Sequence, residues 1–133
     1  TKELKRSITL EAPIISVHVG HAGTSVGYGA TRKFENDTLL ATVALGYADG
    51  VPRSGSDTLM AFIDGIACRV VGKISMDLIT IDVSNAPALA KAGVFVEFIG
   101  PHANLNKQAA LASTIGYELL TGLGHRVERN YEK

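Results

Sequence analysis

Two apolar runs, Thr58–Ile63 (TLMAFI) and Ile66–Val71 (IACRVV), are separated by Asp64-Gly65 alone. A two-residue Asp-Gly connection between strand-like runs is a strong hairpin signal, because a type I′ turn needs positive φ at both central residues. It commits the middle of the chain to antiparallel β structure. The flanking sequence agrees. Ser7–Val19 is rich in Ile and Val and predicts a strand pair or one bent strand, with Pro13 at an edge or bend because it cannot donate to a ladder. Gly20–Gly29 holds four glycines and reads as a loop with a short strand at Ser25–Tyr28. Leu39–Leu45 predicts a buried strand, closed by the turn Gly46-Tyr47-Ala48-Asp49-Gly50 and by Pro52. Ile74–Val83 predicts another strand, with a bulge where Leu78 and Ile79 break the alternation. Gly93–Ile99 alternates, with Val94, Val96 and Phe98 on one face.

One helix stands out, over Lys107–Ile115, with Asn104 or Asn106 as its cap and Gly116 as its stop. A second short helix is predicted over Glu118–Leu123, and Arg126–Arg129 can add a last strand. The fold class expected is mainly β: a small β-barrel-like domain, residues 1–133, with one or two short helices near the C-terminus. At 133 residues the chain can bury a core without disulfides or metal. Lys plus Arg is 13 and Asp plus Glu is 13, a balance that argues against a nucleic-acid or polybasic membrane module. No apolar run reaches the ~18 residues of a membrane span, and Thr1–Arg6 is too polar for a signal peptide. The single cysteine, Cys68, allows no internal disulfide and predicts a reducing, cytoplasmic setting.

Chemistry-bearing motifs are few. There is no phosphate-binding GxxxxGK[ST] loop, no dinucleotide fingerprint and no Gly-x-Ser-x-Gly elbow. His18 and His21 lack a third ligand nearby, so no metal is expected, and Cys68 reads as a buried small hydrophobe. Ser54 and Ser56 read as loop polarity. What remains is two tyrosines on glycine-bracketed loops: Tyr28 in VGYGAT and Tyr47 in LGYADG. Glycine permits positive φ and close approach of a ligand. Either the phenol is aimed at a ligand, or the ring is a turn aromatic packed on a barrel end. A phenol has an ordinary pKa of about 10, so it serves as a base only beside cationic or hydrogen-bonding neighbours. The stretch Gly72-Lys73-Ile74-Ser75-Met76-Asp77 is a third oddity, equally readable as a bulged strand with a core methionine.

Four segments in order, SVGYGAT (25–31), LGYADGVPR (45–53), VVGKISMDLITIDV (70–83) and TIGYELLTGLGHRVERNY (114–131), resemble the C-terminal domain of alanine racemases. The resemblance covers nearly the whole chain and implies a pyridoxal 5′-phosphate (PLP) enzyme. In that family an N-terminal barrel carries the cofactor on a lysine, and no lysine of this chain sits in a matching motif. The family forms a homodimer whose active site joins one subunit's barrel to the other's β domain. It interconverts L- and D-alanine for peptidoglycan.

Residue by residue, the resemblance implies that Tyr28 is the base on the L face of Cα. It makes Tyr47 a narrowing of the substrate entrance. The main-chain N–H of Met76 holds the substrate carboxylate, and the hydroxyl of Tyr117 bonds the cofactor phosphate. Arg53, Asp77, Ile115 and Lys73 fall at entrance positions. Lys73 replaces a common arginine, keeping charge without the planar fork. Ser75 stands where many members have cysteine. The isolated domain is expected to fold but not to racemise. Alternatives are a broader-specificity racemase, a decarboxylase on the same plan, or a non-catalytic β-barrel interaction module.

Overall fold

The computed structural model describes residues 9–23, 25–26, 32–33, 36–51 and 53–112. In chain order these form β1 (Leu10–Gly20), β2 (Ser25–Val26), β3 (Arg32–Lys33), β4 (Thr38–Val43), β5 (Met60–Ile63), β6 (Ile66–Arg69), β7 (Ile79–Asp82), β8 (Phe95–Ile99) and α1 (Leu105–Leu111). Two 3₁₀ turns, Tyr47–Asp49 and Arg53–Gly55, lie between β4 and β5.

The predicted hairpin is present. Ile63 pairs with Ile66 across Asp64 (φ 49°) and Gly65 (φ 81°), the positive-φ pair a type I′ turn requires. Six antiparallel strands run in the order β6-β5-β8-β1-β4-β7. The ends of this sheet approach one another. Val70, just past β6, bridges to Ile81 of β7, and the Val71 N–H donates to the Thr80 carbonyl at 3.0 Å. The sheet is therefore a nearly closed barrel, and β2–β3 form a separate two-stranded ribbon.

Closure depends on β1, which serves two partners. It pairs with β8 from Leu10↔Ile99 to Pro13↔Phe95, then with β4 from Ile14↔Val43 to Gly20↔Thr38. Pro13 sits at this changeover, where its missing N–H is tolerated and its carbonyl accepts from Ala44 N–H at 3.1 Å. Alternate residues point inward. Ile14, Val43, Ile63, Ile79, Ile81 and Val96 are almost wholly buried, each contributing roughly 1.5–3 kcal/mol of transfer free energy. Cys68 is buried with them. Burial, reinforced by the Asp82 carboxylate, pushes its thiol up to about 11, so it is a packing residue rather than a nucleophile.

Two elements differ from expectation. Ile74–Val83 is not one strand: only Ile79–Asp82 pairs, because the amides before it are taken by side chains and turns. The helix spans Leu105–Leu111 with Asn104 as its cap, whose side-chain oxygen accepts from the N–H groups of Asn106 (3.0 Å) and Lys107 (3.1 Å). The predicted Gly116 stop, second helix and last strand fall outside the described residues.

Beyond β8 the chain turns on Glu97. Its Oε2 accepts from His102 N–H and Ala103 N–H, both at 2.7 Å, and its Oε1 lies 3.1 Å from His102 Nδ1. Burial alone would raise this carboxyl. The bonds from Ala103 and His102 and the attraction of the imidazole outweigh it, so Glu97 lies below its ordinary pKa. A lowered folded-state value adds stability above the unfolded-state value, and that stability is lost as pH falls through the folded-state one. Glu97→Gln is therefore expected to melt below the parent at about pH 7, with the gap closing in thermal unfolding as pH falls through the lowered folded-state value. A gap independent of pH would contradict the assignment.

Candidate active site

The loops at one end of the barrel bring two of the three sequence motifs together, the Tyr47 turn and Gly72–Asp77. β4 ends at Val43 and the chain enters the Gly46–Gly50 turn. Within it, Gly46 N–H donates to the buried carboxylate of Asp49 (Oδ2, 3.0 Å), Asp49 N–H to the Gly46 carbonyl (3.0 Å), and Gly50 N–H (φ 103°) to the Tyr47 carbonyl (3.1 Å). These bonds lock the turn against itself, leaving the N–H groups of Tyr47 and Ala48 directed outward. They dock on the third motif: Tyr47 N–H donates to the Ser75 carbonyl and Ala48 N–H to the Met76 carbonyl, each at 3.0 Å. Contact is so close that a Cβ on Gly46 would overlap both carbonyl groups. That steric demand explains the glycine in Leu-Gly-Tyr.

The docked segment ends in a small loop. Ser75 N–H donates to the Leu78 carbonyl (3.1 Å). The Ser75 hydroxyl also donates to that carbonyl (2.9 Å) and accepts from Leu78 N–H (3.0 Å). Met76 and Asp77 form the tip between them. Both are exposed, and Met76, Leu78 and Tyr47 are among the few large apolar residues at the surface among the described residues, at 52%, 41% and 40%. The Met76 carbonyl is used by the turn, whereas the Met76 N–H donates to no described residue. A main-chain amide left in this way is a ready hydrogen-bond donor for an anion.

From the other side, the 53–58 segment holds the start of the same stretch. Ser56 Oγ accepts from Ile74 N–H at 2.8 Å, and Asp57 Oδ1 accepts from Gly72 N–H at 2.7 Å, while Asp57 N–H returns to the Gly72 carbonyl at 3.2 Å. Ser54 Oγ reaches the Ala112 carbonyl at 2.5 Å, tying the end of α1 to this loop.

Of the residues singled out from sequence, Tyr47, Met76, Asp77 and Lys73 thus share one barrel end, with the backbone of Arg53 in the adjoining 3₁₀ turn. Tyr28, Ile115 and Tyr117 lie outside the described residues. Ser56, Asp57 and Asp49 were not singled out for a site. The available signal was a polar residue placed to accept from a neighbouring loop's amides, which becomes visible only once that loop is known. No group of three or more His, Cys, Asp or Glu comes together among the described residues. None of their helices is long and apolar enough to cross a membrane.

Comparison with known proteins agrees with this geometry. The family model described as alanine racemase, C-terminal domain, matches residues 7–131. An alanine racemase of Marinobacter nauticus is 44% identical over 126 residues, covering 95% of this chain and 35% of that protein. One from Cereibacter sphaeroides is 41% identical over 130 residues, covering 98% of this chain and 36% of that protein. Among solved structures, alanine racemase from Bartonella henselae with covalently bound pyridoxal phosphate superposes with a TM-score of 0.90 at 37% identity, over 93% of this chain and 34% of that one. The Acinetobacter baumannii enzyme gives 0.87 at 42% identity, over 92% and 34%. The chain therefore spans about a third of the length of these relatives.

Proposed function

The chain belongs to the alanine racemase C-terminal domain family, and we propose that it completes a PLP-dependent active site that interconverts L- and D-alanine. Its partner in this reading is an N-terminal barrel of the same protein, which carries the cofactor on a lysine. The active site is shared across a homodimer, and the product supplies D-alanine for peptidoglycan in the cytoplasm.

The observation that carries the reading is the Met76 amide. It sits at the tip of a loop held from both sides, and it donates to no described residue. An amino acid presents a carboxylate, and a fixed N–H is the group that orients one. The donor set suits an amino acid held on PLP: an amide for the carboxylate and the exposed Tyr47 on the same clamp to limit side-chain size. PLP, when bound, supplies an electron sink that acidifies the Cα–H of the attached amino acid.

The chain's own residues then divide the remaining work. The Tyr28 phenol takes or returns the proton on the L face of Cα. The Tyr117 hydroxyl bonds the cofactor phosphate. Arg53, Lys73, Asp77 and Ile115 line the entrance, where charge selects a zwitterion. Two bases on opposite faces suffice for racemisation, because the planar carbon need not turn over.

The test is to load the full-length protein with PLP, supply L-alanine and follow D-alanine. Racemisation with kcat/KM for alanine well above that for serine supports the reading. Comparable values for both substrates would assign a broader racemase, and release of carbon dioxide a decarboxylase. No turnover of any amino acid would leave the interaction-module reading.

A further inference from the structure

We infer that Ser56 and Asp57 are positioning residues for the substrate carboxylate, setting the place of the Met76 amide by gripping the segment that carries it. The inference rests on the function proposed above. Residues 70–78 leave β6, cross the barrel end and enter β7, so most of their amides have no ladder partner. Those that are buried must be satisfied individually. Val70 and Val71 donate to the carbonyls of Leu59 and Thr80, and Ser75 and Leu78 close their own small loop. Between these, the amides of Gly72 and Ile74 are held by side chains alone, those of Asp57 and Ser56.

The two acceptors come from a turn that is itself fixed. Thr58 N–H and Leu59 N–H both donate to the Gly55 carbonyl, at 3.1 and 2.9 Å. Asp57 occupies a left-handed conformation, φ 61°, which aspartate tolerates better than most residues. Its carboxylate accepts from Gly72 N–H, while its own main-chain N–H donates to the Gly72 carbonyl. Ile74 itself is 1% exposed, so the Ser56 bond anchors a segment whose next apolar side chain is already locked in the core. Two residues beyond that anchor comes Met76. Its carbonyl is held from the opposite side by Ala48, which leaves the amide position over-determined as long as both grips exist. Remove one and the loop can pivot on the other.

The consequence for kinetics is specific. A carboxylate contact is made equally in the ground state and the transition state, so loosening it weakens both alike. KM rises and kcat stays. In the full-length PLP-loaded protein, Asp57→Ala and Asp57→Gly are each expected to raise KM for L- and D-alanine about tenfold, with kcat within about twofold. Glycine relieves any backbone strain, so a shared effect isolates the lost acceptor. Asp57→Asn retains Oδ1 and the same backbone tolerance and should restore the parental KM. Ser56→Ala should raise KM in the same sense and serves if the aspartate variants fold poorly.

Asp64→Ala is the control. It places alanine at another positive-φ position, φ 49°, in the β5–β6 turn, with no bond to residues 70–78. It should lower the melting temperature without moving KM. Hydrogen exchange gives a readout independent of turnover: amides of residues 72–76 should exchange faster in Asp57→Gly and not in Asp64→Ala. Racemisation with a parental KM in Asp57→Gly, or an equal rise in Asp64→Ala, overturns the positioning role alone. Failure of the parent to racemise alanine overturns the function, and the substrate role with it.

Discussion

Replacing Tyr28 with phenylalanine in the full-length, PLP-loaded protein is expected to cut alanine racemisation by about 10²–10⁴-fold while leaving cofactor binding nearly unchanged. The substitution removes one oxygen from a glycine-flanked tyrosine and keeps the ring. If that oxygen is the base on the L face, Cα loses proton transfer there and nowhere else. In the function proposed above, the opposite face is served by the barrel's lysine and still works. The variant should therefore exchange the Cα hydrogen of D-alanine with deuterated solvent and return D-alanine, without forming the L enantiomer. L-alanine should keep its hydrogen. This asymmetry separates a lost base from a damaged fold, which would slow exchange of both enantiomers together. A mixture gives a second readout. If the protein is a homodimer, combining the Tyr28→Phe protein equally with a variant lacking the cofactor lysine makes half the dimers mixed. If each site joins one subunit's barrel to the other's β domain, one of the two sites in every mixed dimer is intact, restoring about a quarter of parental activity. Parental turnover by Tyr28→Phe alone would remove the assignment, and no recovery on mixing would remove the shared site.

Much of the scaffold behind that site is legible in the sequence because its signals are local. Asp64-Gly65 forces a turn through backbone geometry, and both residues take the positive φ their identity allows. Pro13 marks a place where β1 needs no N–H, at the switch from β8 to β4. Asn104 or Asn106 reads as a cap because an asparagine side chain can serve nearby amides of its own helix, and Asn104 serves those of Asn106 and Lys107. The Ile74–Leu78 stretch departs from the predicted strand for the opposite reason. Its apolar residues resemble a strand, but the Ile74 amide goes to Ser56, in another segment, and the Leu78 amide goes to Ser75 within its own small loop. Nothing in the local pattern reports which side chain from elsewhere takes an amide. Site residues follow the same division. The glycine before Tyr47 is readable as a need for space, whereas what fills that space, the Ser75 and Met76 carbonyls, comes from tertiary structure. The roles of Tyr28, Ile115 and Tyr117 rest on family likeness, since these residues lie outside those described.

Gln108→Leu is expected to be the most destabilising single change in the barrel frame outside the hydrophobic core, at about 3 kcal/mol or more. The reason lies where β5 meets β8. These strands share one register pair, Phe62↔Glu97, and then diverge. Into the gap α1 inserts Gln108, which is 3% exposed. Its Oε1 accepts from Met60 N–H at 3.2 Å, and its Nε2 donates to the Met60 carbonyl at 2.5 Å and the Phe98 carbonyl at 2.6 Å. The side-chain amide thus occupies the place of a missing peptide group and continues the ladder from β5 to β8. Leucine has similar volume, so little cavity arises, but three main-chain groups lose their partner in a site with little room for water. Each costs about 1–3 kcal/mol when left unpaired, against a total stability of about 5–15 kcal/mol for a domain of this kind. Urea unfolding of the 133-residue chain should show the midpoint falling with an unchanged slope. Gln108→Glu discriminates further. It keeps the acceptor for Met60 N–H but sets a carboxylate oxygen against two carbonyls, so near neutral pH it should be worse than leucine. Protonation at low pH should recover part of that loss, because the acid O–H can donate to one of the carbonyls. A leucine variant within about 0.5 kcal/mol of the parent would mean that β5 and β8 hold together without the helix, and that the barrel closes by strand pairing alone.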